Sequence, residues 1–129
     1  MIRTLSVDDI ELIYLQIIDA SGGSNGTRDR GRLESVVATQ TQSVFSEELF
    51  PSIFQKAAAI TRGIISDHPF IDGNKRTGIM SALILLELNG IKTKIEDKKL
   101  EDFAVDITVK NLLIEQIASW LQSHSATLD

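Results

Sequence analysis

The run "GIMSALILLELNG", residues 78 to 90, is apolar on nearly every side of a helix, the pattern of a helix buried all round. Such a helix needs partners on each face, so the rest of the chain has to wrap it. Asn89-Gly90 supplies its stop signal. The other apolar positions recur at helical spacing, and few stretches alternate as strands do. The expected class is all-α, with a central buried helix and short connections.

Around that helix the shell can be read piece by piece. Ser6 with Asp9 reads as an N-cap and acidic first turn, and Ile10, Ile13, Tyr14, Ile17 and Ile18 then define a helix over about residues 7 to 20. "SGGSNGTRDRG" is a turn-rich loop whose glycines match neither the P-loop nor the dinucleotide pattern. A second helix, "RLESVVATQTQ", is expected after Gly31, followed by a loop through "FSEELFP". Ser52 and Gln55 form a capping box after Pro51 for a third helix, with Ile53, Ala57, Ile60 and Ile64 on one face and an end near His68. "IKTKI" reads as a short strand. The remainder reads as one or two amphipathic helices with Leu112, Leu113, Ile117, Trp120 and Leu121 inward.

At 129 residues the chain fits one domain, 1–129, with a sizeable core. A formal net charge of −5 gives no basic surface for nucleic acid, so direct nucleic-acid binding is not expected. Cysteine is absent, which excludes disulfides, thiolate metal sites and thiol catalysis and fits the cytoplasm. Asp8, Asp9 and Glu11 interrupt the stretch where a signal peptide needs an apolar core. The uncharged apolar run Thr77 to Leu86 is only ten residues, and a membrane span needs about 20.

The chemistry concentrates in "SDHPFIDGNKRT", residues 66 to 77. Pro69 biases His68 away from the α region, so the chain turns there, and Phe70 anchors the turn in the core. Asp-Gly is also a hairpin signal, but neither flank alternates, so the turn joins two helices. Placing the next helix start at Asp72 to Asn74 puts Lys75 and Arg76 in a first turn, where the macrodipole disfavours cations by roughly 0.3 to 1 kcal/mol each. A bound anion would compensate both. Free N–H groups of Gly73, Asn74 and Lys75 would face it, and a Mg²⁺ ion could bridge Asp72 to phosphate oxygens. His68, one turn away, has the chemistry of a base for an attacking hydroxyl.

Each feature also has a structural reading, which taken singly is the commoner one. His68 can be a helix C-cap, Asp72 an N-cap, and Lys75 and Arg76 can pair with Asp67, Asp72 or a distant acid. Together within nine residues they favour a phosphate site. His124 lies near an end expected to fray and reads as solvated. Asp29 with Arg28 and Arg30 reads as a surface ion-pair cluster.

"HPFIDGNKR" resembles the signature of the Fic/Doc superfamily, and specifically its death-on-curing branch, His-x-Phe-x-Asp/Asn-Ala/Gly-Asn-Lys-Arg. The likeness extends over roughly residues 5 to 122 through "RDRGRLESVVA", "PSIFQKAAAI", "LELNGIK" and "ASWL". It implies a compact domain of six or seven helices that transfers part of a nucleoside triphosphate to a protein hydroxyl. By motif position His68 matches the catalytic base, Phe70 the anchor, Asp72 the Mg²⁺-linked acid, and Gly73, Asn74, Lys75 and Arg76 the phosphate-binding loop.

AMP-transferring Fic enzymes resemble His-Pro-Phe-x-Asp/Glu-Gly-Asn-Gly-Arg-x-x-Arg, whereas this chain has Lys75 for the second glycine and Ile79 for the second arginine. In the family, lysine there goes with a nucleotide that presents its γ-phosphate. The resemblance therefore implies a Doc-type toxin of a toxin-antitoxin system, a protein kinase that uses ATP or another triphosphate and blocks translation by modifying a Ser/Thr hydroxyl of elongation factor Tu. It also implies a Phd-type antitoxin whose tail folds into a groove on the toxin. The self-inhibitory Ser/Thr-x-x-x-Glu-Gly/Asn pattern is approached only at Ser43 to Glu47, with Glu48 following, and is not credited. The alternatives are an AMP transferase that tolerates Lys75 and a catalytically silent antitoxin-binding module.

Overall fold

A computed structural model describes residues 1–22 and 26–127. Among these, six α-helices form in the order α1 (Val7–Ser21), α2 (Arg30–Ala38), α3 (Ile53–Asp67), α4 (Asn74–Leu88), α5 (Asp97–Val109) and α6 (Ile114–Ser123). A 3-10 turn at Thr39–Thr41 extends α2. Two small antiparallel pairs complete the fold: β1 (Ser43–Val44) with β2 (Glu47–Glu48), and β3 (Ile91–Thr93) with β4 (Ser125–Thr127).

The wrapped helix is α4, in which none of residues 77–86 is exposed. It packs against α3, α1, α5 and β3. Close approach to α3 depends on Gly78, where an added Cβ would lie 3.1 Å from both Ile65 Cγ1 and the Thr61 carbonyl. Thr61 uses that proximity, its hydroxyl donating to the Gly78 carbonyl at 2.9 Å. Asn89 ends α4 and ties down the N-terminal segment, accepting from Arg3 N–H at 2.8 Å and donating to the Arg3 carbonyl at 2.9 Å.

The expected capping box at Ser52 forms, and the expected N-cap Ser6 makes a box as well. Asp9 N–H reaches Ser6 Oγ at 3.1 Å while Ser6 N–H reaches Asp9 Oδ2 at 2.8 Å, and Ser52 and Gln55 exchange the same bonds at 3.1 and 3.0 Å. Helix α2 begins one residue before Gly31 rather than after it, because Asp29 is its N-cap and accepts from Arg32 N–H at 3.0 Å.

Three further expectations are corrected. The loop expected through "FSEELFP" supplies the turn and second strand of the β1–β2 hairpin, with Phe45 and Ser46 at positive φ and Phe45 96% exposed. Leu113 does not pack inward but is 53% exposed, because it sits at the N-cap of α6, outside the helical face that buries Ile117 and Leu121. His124 is neither frayed nor simply solvated: its ring stacks on Trp120 at 4.1 Å, its Nδ1 lies 2.7 Å from the Trp120 carbonyl, and strand β4 follows it.

Candidate functional site

Helix α3 ends at Asp67 and α4 begins at Asn74, so the six residues between them form the turn singled out by the sequence. His68 is the C-cap of α3 and has left-handed backbone angles, φ 50° and ψ 58°. The proline that follows does keep it out of the right-handed α region, but toward the left-handed one rather than the extended one. Pro69 and Phe70 are buried, and the Phe70 ring stacks on Tyr14 of α1 with centroids 4.0 Å apart and planes 6° from parallel.

The turn is fastened from two sides. From α4, the Asn74 carboxamide accepts from Phe70 N–H and donates to the Phe70 carbonyl, both at 3.0 Å. From the loop before α2, Thr27 pairs with Phe70 in an antiparallel bridge, and Ile71 N–H donates to the Gly26 carbonyl at 3.0 Å. The Tyr14 hydroxyl in turn accepts from Gly26 N–H at 2.7 Å. The aromatic stack and the backbone bridge thus rest on the same loop.

Gly73, the N-cap of α4, has φ 75°, and a Cβ there would come 3.1 Å from Ile18 Cδ1. Glycine is needed by the backbone itself, apart from any ligand. Its N–H is not free as expected, because it donates to Asp72 Oδ1 at 2.8 Å. The first intrahelical bond of α4 runs from Thr77 N–H to the Gly73 carbonyl at 2.9 Å. The N–H groups of Asn74, Lys75 and Arg76 therefore have no helical acceptor and lie at the positive end of the macrodipole.

His68, Asp72, Gly73, Asn74, Lys75 and Arg76 all line one groove of about 1040 Å³. Past the turn it continues along α1, α4 and α5 over Ile13, Ile17, Ile79, Met80 and Leu100, with Asp97 and Glu101 on the far wall. His68, Asp72, Lys75 and Arg76 are exposed. Among the described residues neither Lys75 nor Arg76 makes an ion pair, so the structural reading that neutralises them with a nearby acid is not realised. Position 79 is a buried isoleucine on the groove wall.

Asp72 keeps Oδ2 available beside the uncompensated first turn of α4, and no group of three or more metal-ligating side chains occurs among the described residues. That donor set suits Mg²⁺, which is commonly held by one or two carboxylates plus substrate phosphates rather than by a protein cage.

The basic and acidic residues before α2 do not make one cluster. Arg30 pairs with Glu11 and with Asp8, and these carboxylates, foremost through the hydrogen bond Arg30 donates to Glu11, raise its guanidinium above the usual value. Asp29 takes Arg32 at 3.3 Å. Arg28 turns away from both to the carbonyls at the end of α3, with Nη2 2.6 Å from the His68 oxygen. Sequence reasoning missed Arg28 because its partners are main-chain atoms 40 positions away, which leave no mark in residue spacing. The Asn74 clasp did have a signal, an asparagine four residues after an apolar turn residue.

No helix among the described residues is long and apolar enough to cross a membrane. The family model described as Fic/DOC family matches residues 4–86, well over half of the chain and including the whole turn. Toxin Doc of Mycolicibacterium smegmatis (strain ATCC 700084 / mc(2)155) is 29% identical over 109 residues, 83% of this chain and 84% of that protein. Protein kinase doc of Escherichia phage P1 is 28% identical over 120 residues, 93% of this chain and 94% of that protein.

Proposed function

Since the chain belongs to the Fic/DOC family, we propose that it is a Doc-type toxin that transfers the γ-phosphate of ATP, or of another nucleoside triphosphate, to a serine or threonine hydroxyl of a cytoplasmic protein. The target proposed is elongation factor Tu, with arrest of translation as the consequence. The relative named Protein kinase doc supports phosphate transfer as the reaction.

One observation carries the reading: His68, Asp72, Lys75 and Arg76 share one groove at the start of α4, where two cations stand without acidic partners among the described residues and Ile79 occupies the place of a second arginine. In the proposed step His68 takes the proton of the target hydroxyl, that oxygen bonds to the γ-phosphorus, and the bond to the β–γ bridging oxygen breaks to release the diphosphate. Lys75, Arg76 and the open N–H groups of the first turn hold the phosphate oxygens as charge shifts between them. Phe70 and Asn74 keep the turn in shape, and Gly73 gives the chain its bend. Asp72 would hold Mg²⁺ jointly with phosphate oxygens, the ion adding positive charge at that point.

The apolar continuation of the groove along α1, α4 and α5 suits an amphipathic helix. We assign it to an antitoxin of Phd type, the partner that the toxin reading calls for, and the relative named Toxin Doc supports that reading. The deciding experiment is incubation with elongation factor Tu and ATP labelled at the α or the γ phosphate. Label from the γ position on the target is the expected result, and label from the α position overturns the proposal in favour of AMP transfer. Toxicity that survives His68→Ala would leave a non-catalytic binding module instead.

A further inference from the structure

We propose that Arg28 is a positioning residue for His68: its guanidinium and main chain together hold the backbone turn that presents the imidazole to the groove. The inference rests on His68 being the base of the proposed reaction.

Three consecutive carbonyls, at residues 67, 68 and 69, stand at the end of α3 beyond the reach of its helical bonds. Arg28 meets all three. Its Nη2 and Nε donate to the His68 oxygen at 2.6 and 3.0 Å, and Nη2 also reaches the Asp67 oxygen at 3.2 Å. Its main-chain N–H, with that of Asp29, donates to the Pro69 oxygen, at 2.7 and 3.0 Å. The guanidinium has no carboxylate partner among the described residues, so its charge is directed wholly at these carbonyls.

What those bonds hold is a backbone that His68 does not favour. At φ 50° a side chain with a Cβ is disfavoured, and such a conformation persists only where the surroundings over-determine it. Arg28 reaches the carbonyls of both peptide planes that flank His68, sharing that of Asp67 with Arg32 and holding that of His68 itself through two donors. Rotating either plane would swing the Cα–Cβ bond and carry the imidazole off the groove. A plain helix-capping role is already filled by Arg32, whose Nη1 donates to the Asp67 oxygen at 2.9 Å and touches neither the His68 nor the Pro69 carbonyl.

The test compares Arg28→Ala, Arg28→Lys and Arg32→Ala in the full chain. Only two histidines are present, so His124 is an internal reference for the His68 signals in a ¹H–¹³C and ¹H–¹⁵N spectrum. Arg28→Ala is expected to shift the His68 Cα, amide and ring signals and to leave those of His124 in place, with or without any activity being measured. In label transfer from γ-labelled ATP, kcat is expected to fall about 10- to 100-fold with KM for ATP held within about 2-fold. Arg28→Lys, which restores one donor, recovers part of the loss, while Arg32→Ala stays within about 2-fold of the parent in both constants. Unmoved His68 signals, an unchanged kcat, or equal falls for Arg28→Ala and Arg32→Ala that track a loss of thermal stability each overturn the inference. If Arg28→Ala does not fold, Arg28→Lys carries the same spectra and kinetics. A parent protein that transfers no phosphate overturns the kinase reading, and shifted His68 signals in the variant then still establish Arg28 as the element that sets this backbone.

Discussion

Asn74 satisfies both main-chain polar groups of Phe70 at once, its Oδ1 and Nδ2 each 3.0 Å from the Phe70 nitrogen and oxygen. A residue that begins one helix therefore closes the turn leading into it. Asn74→Asp keeps the shape but replaces the donor with a second acceptor facing the Phe70 carbonyl. We expect a loss of about 2 to 3 kcal/mol, because a buried carbonyl is left unsatisfied and a carboxylate is brought against it. Urea unfolding checks this, with a lower midpoint at unchanged slope.

Stability and chemistry should part at His68. Its ring makes no hydrogen bond among the described residues, while its backbone takes the left-handed angles that glycine adopts most readily. His68→Gly is expected to raise stability by about 0.5 to 1 kcal/mol and to lower phosphate transfer by about 10²- to 10⁴-fold. Thermal melts and γ-label transfer on the same preparation check both halves.

Where α2 crosses α3, Gly63 leaves no space: an added Cβ would lie 2.8 Å from Val36 Cγ2 and 3.1 Å from Val36 Cγ1. Gly63→Ala gains helix propensity of about 1 kcal/mol, but the crowding should cost about 1 to 3 kcal/mol and win. Ser81 is the opposite case, a fully buried hydroxyl without a hydrogen-bond partner among the described residues. Ser81→Ala is expected to be neutral or stabilising by up to about 1 kcal/mol. Melting temperatures of the two variants should move in opposite directions or, for Ser81→Ala, not at all.

Lys56, 3% exposed, donates through Nζ to the Gln40 carbonyl and to Glu48 Oε1, the latter at 2.8 Å. The ammonium thereby joins α3 to the hairpin. Lys56→Met keeps the apolar stem and removes the donor, at an expected cost of about 1 to 3 kcal/mol. The hairpin should loosen first, so hydrogen exchange at Leu49, whose N–H donates to the Gln42 carbonyl at 2.9 Å, should speed up more than exchange in α4.

Local signals in the sequence located most of this fold. Ser6 with Asp9 and Ser52 with Gln55 mark helix starts because a capping box is satisfied within four residues. The uncharged, mostly apolar run after Thr77 marks α4 because a helix surrounded on every side has no polar face to show. What was not legible depends on pairing across distance. β4 pairs with β3 over more than thirty residues, and nothing in "SAT" announces it. The site divides in the same way. His68, Asp72, Lys75 and Arg76 stand in one short stretch whose misplaced cations were visible on their own terms. Their supports reach them across the fold: the Arg28 guanidinium meets main-chain carbonyls and the Tyr14 hydroxyl meets the Gly26 N–H, partners that have no residue type to read. Gly73 was legible as a glycine but not for its reason, since contact with Ile18 is a tertiary fact.

The packing of α3 against α6 has a temporal side. A chain emerging from the ribosome has every side chain of the turn well before it has Ile117 and Leu121, which complete the core beside the helix that His68 caps. Domains generally fold as units during synthesis, and here the unit's core is closed only by its last helix. The residues of the candidate site are thus made first and ordered late, which delays a working site until most of the domain has been translated.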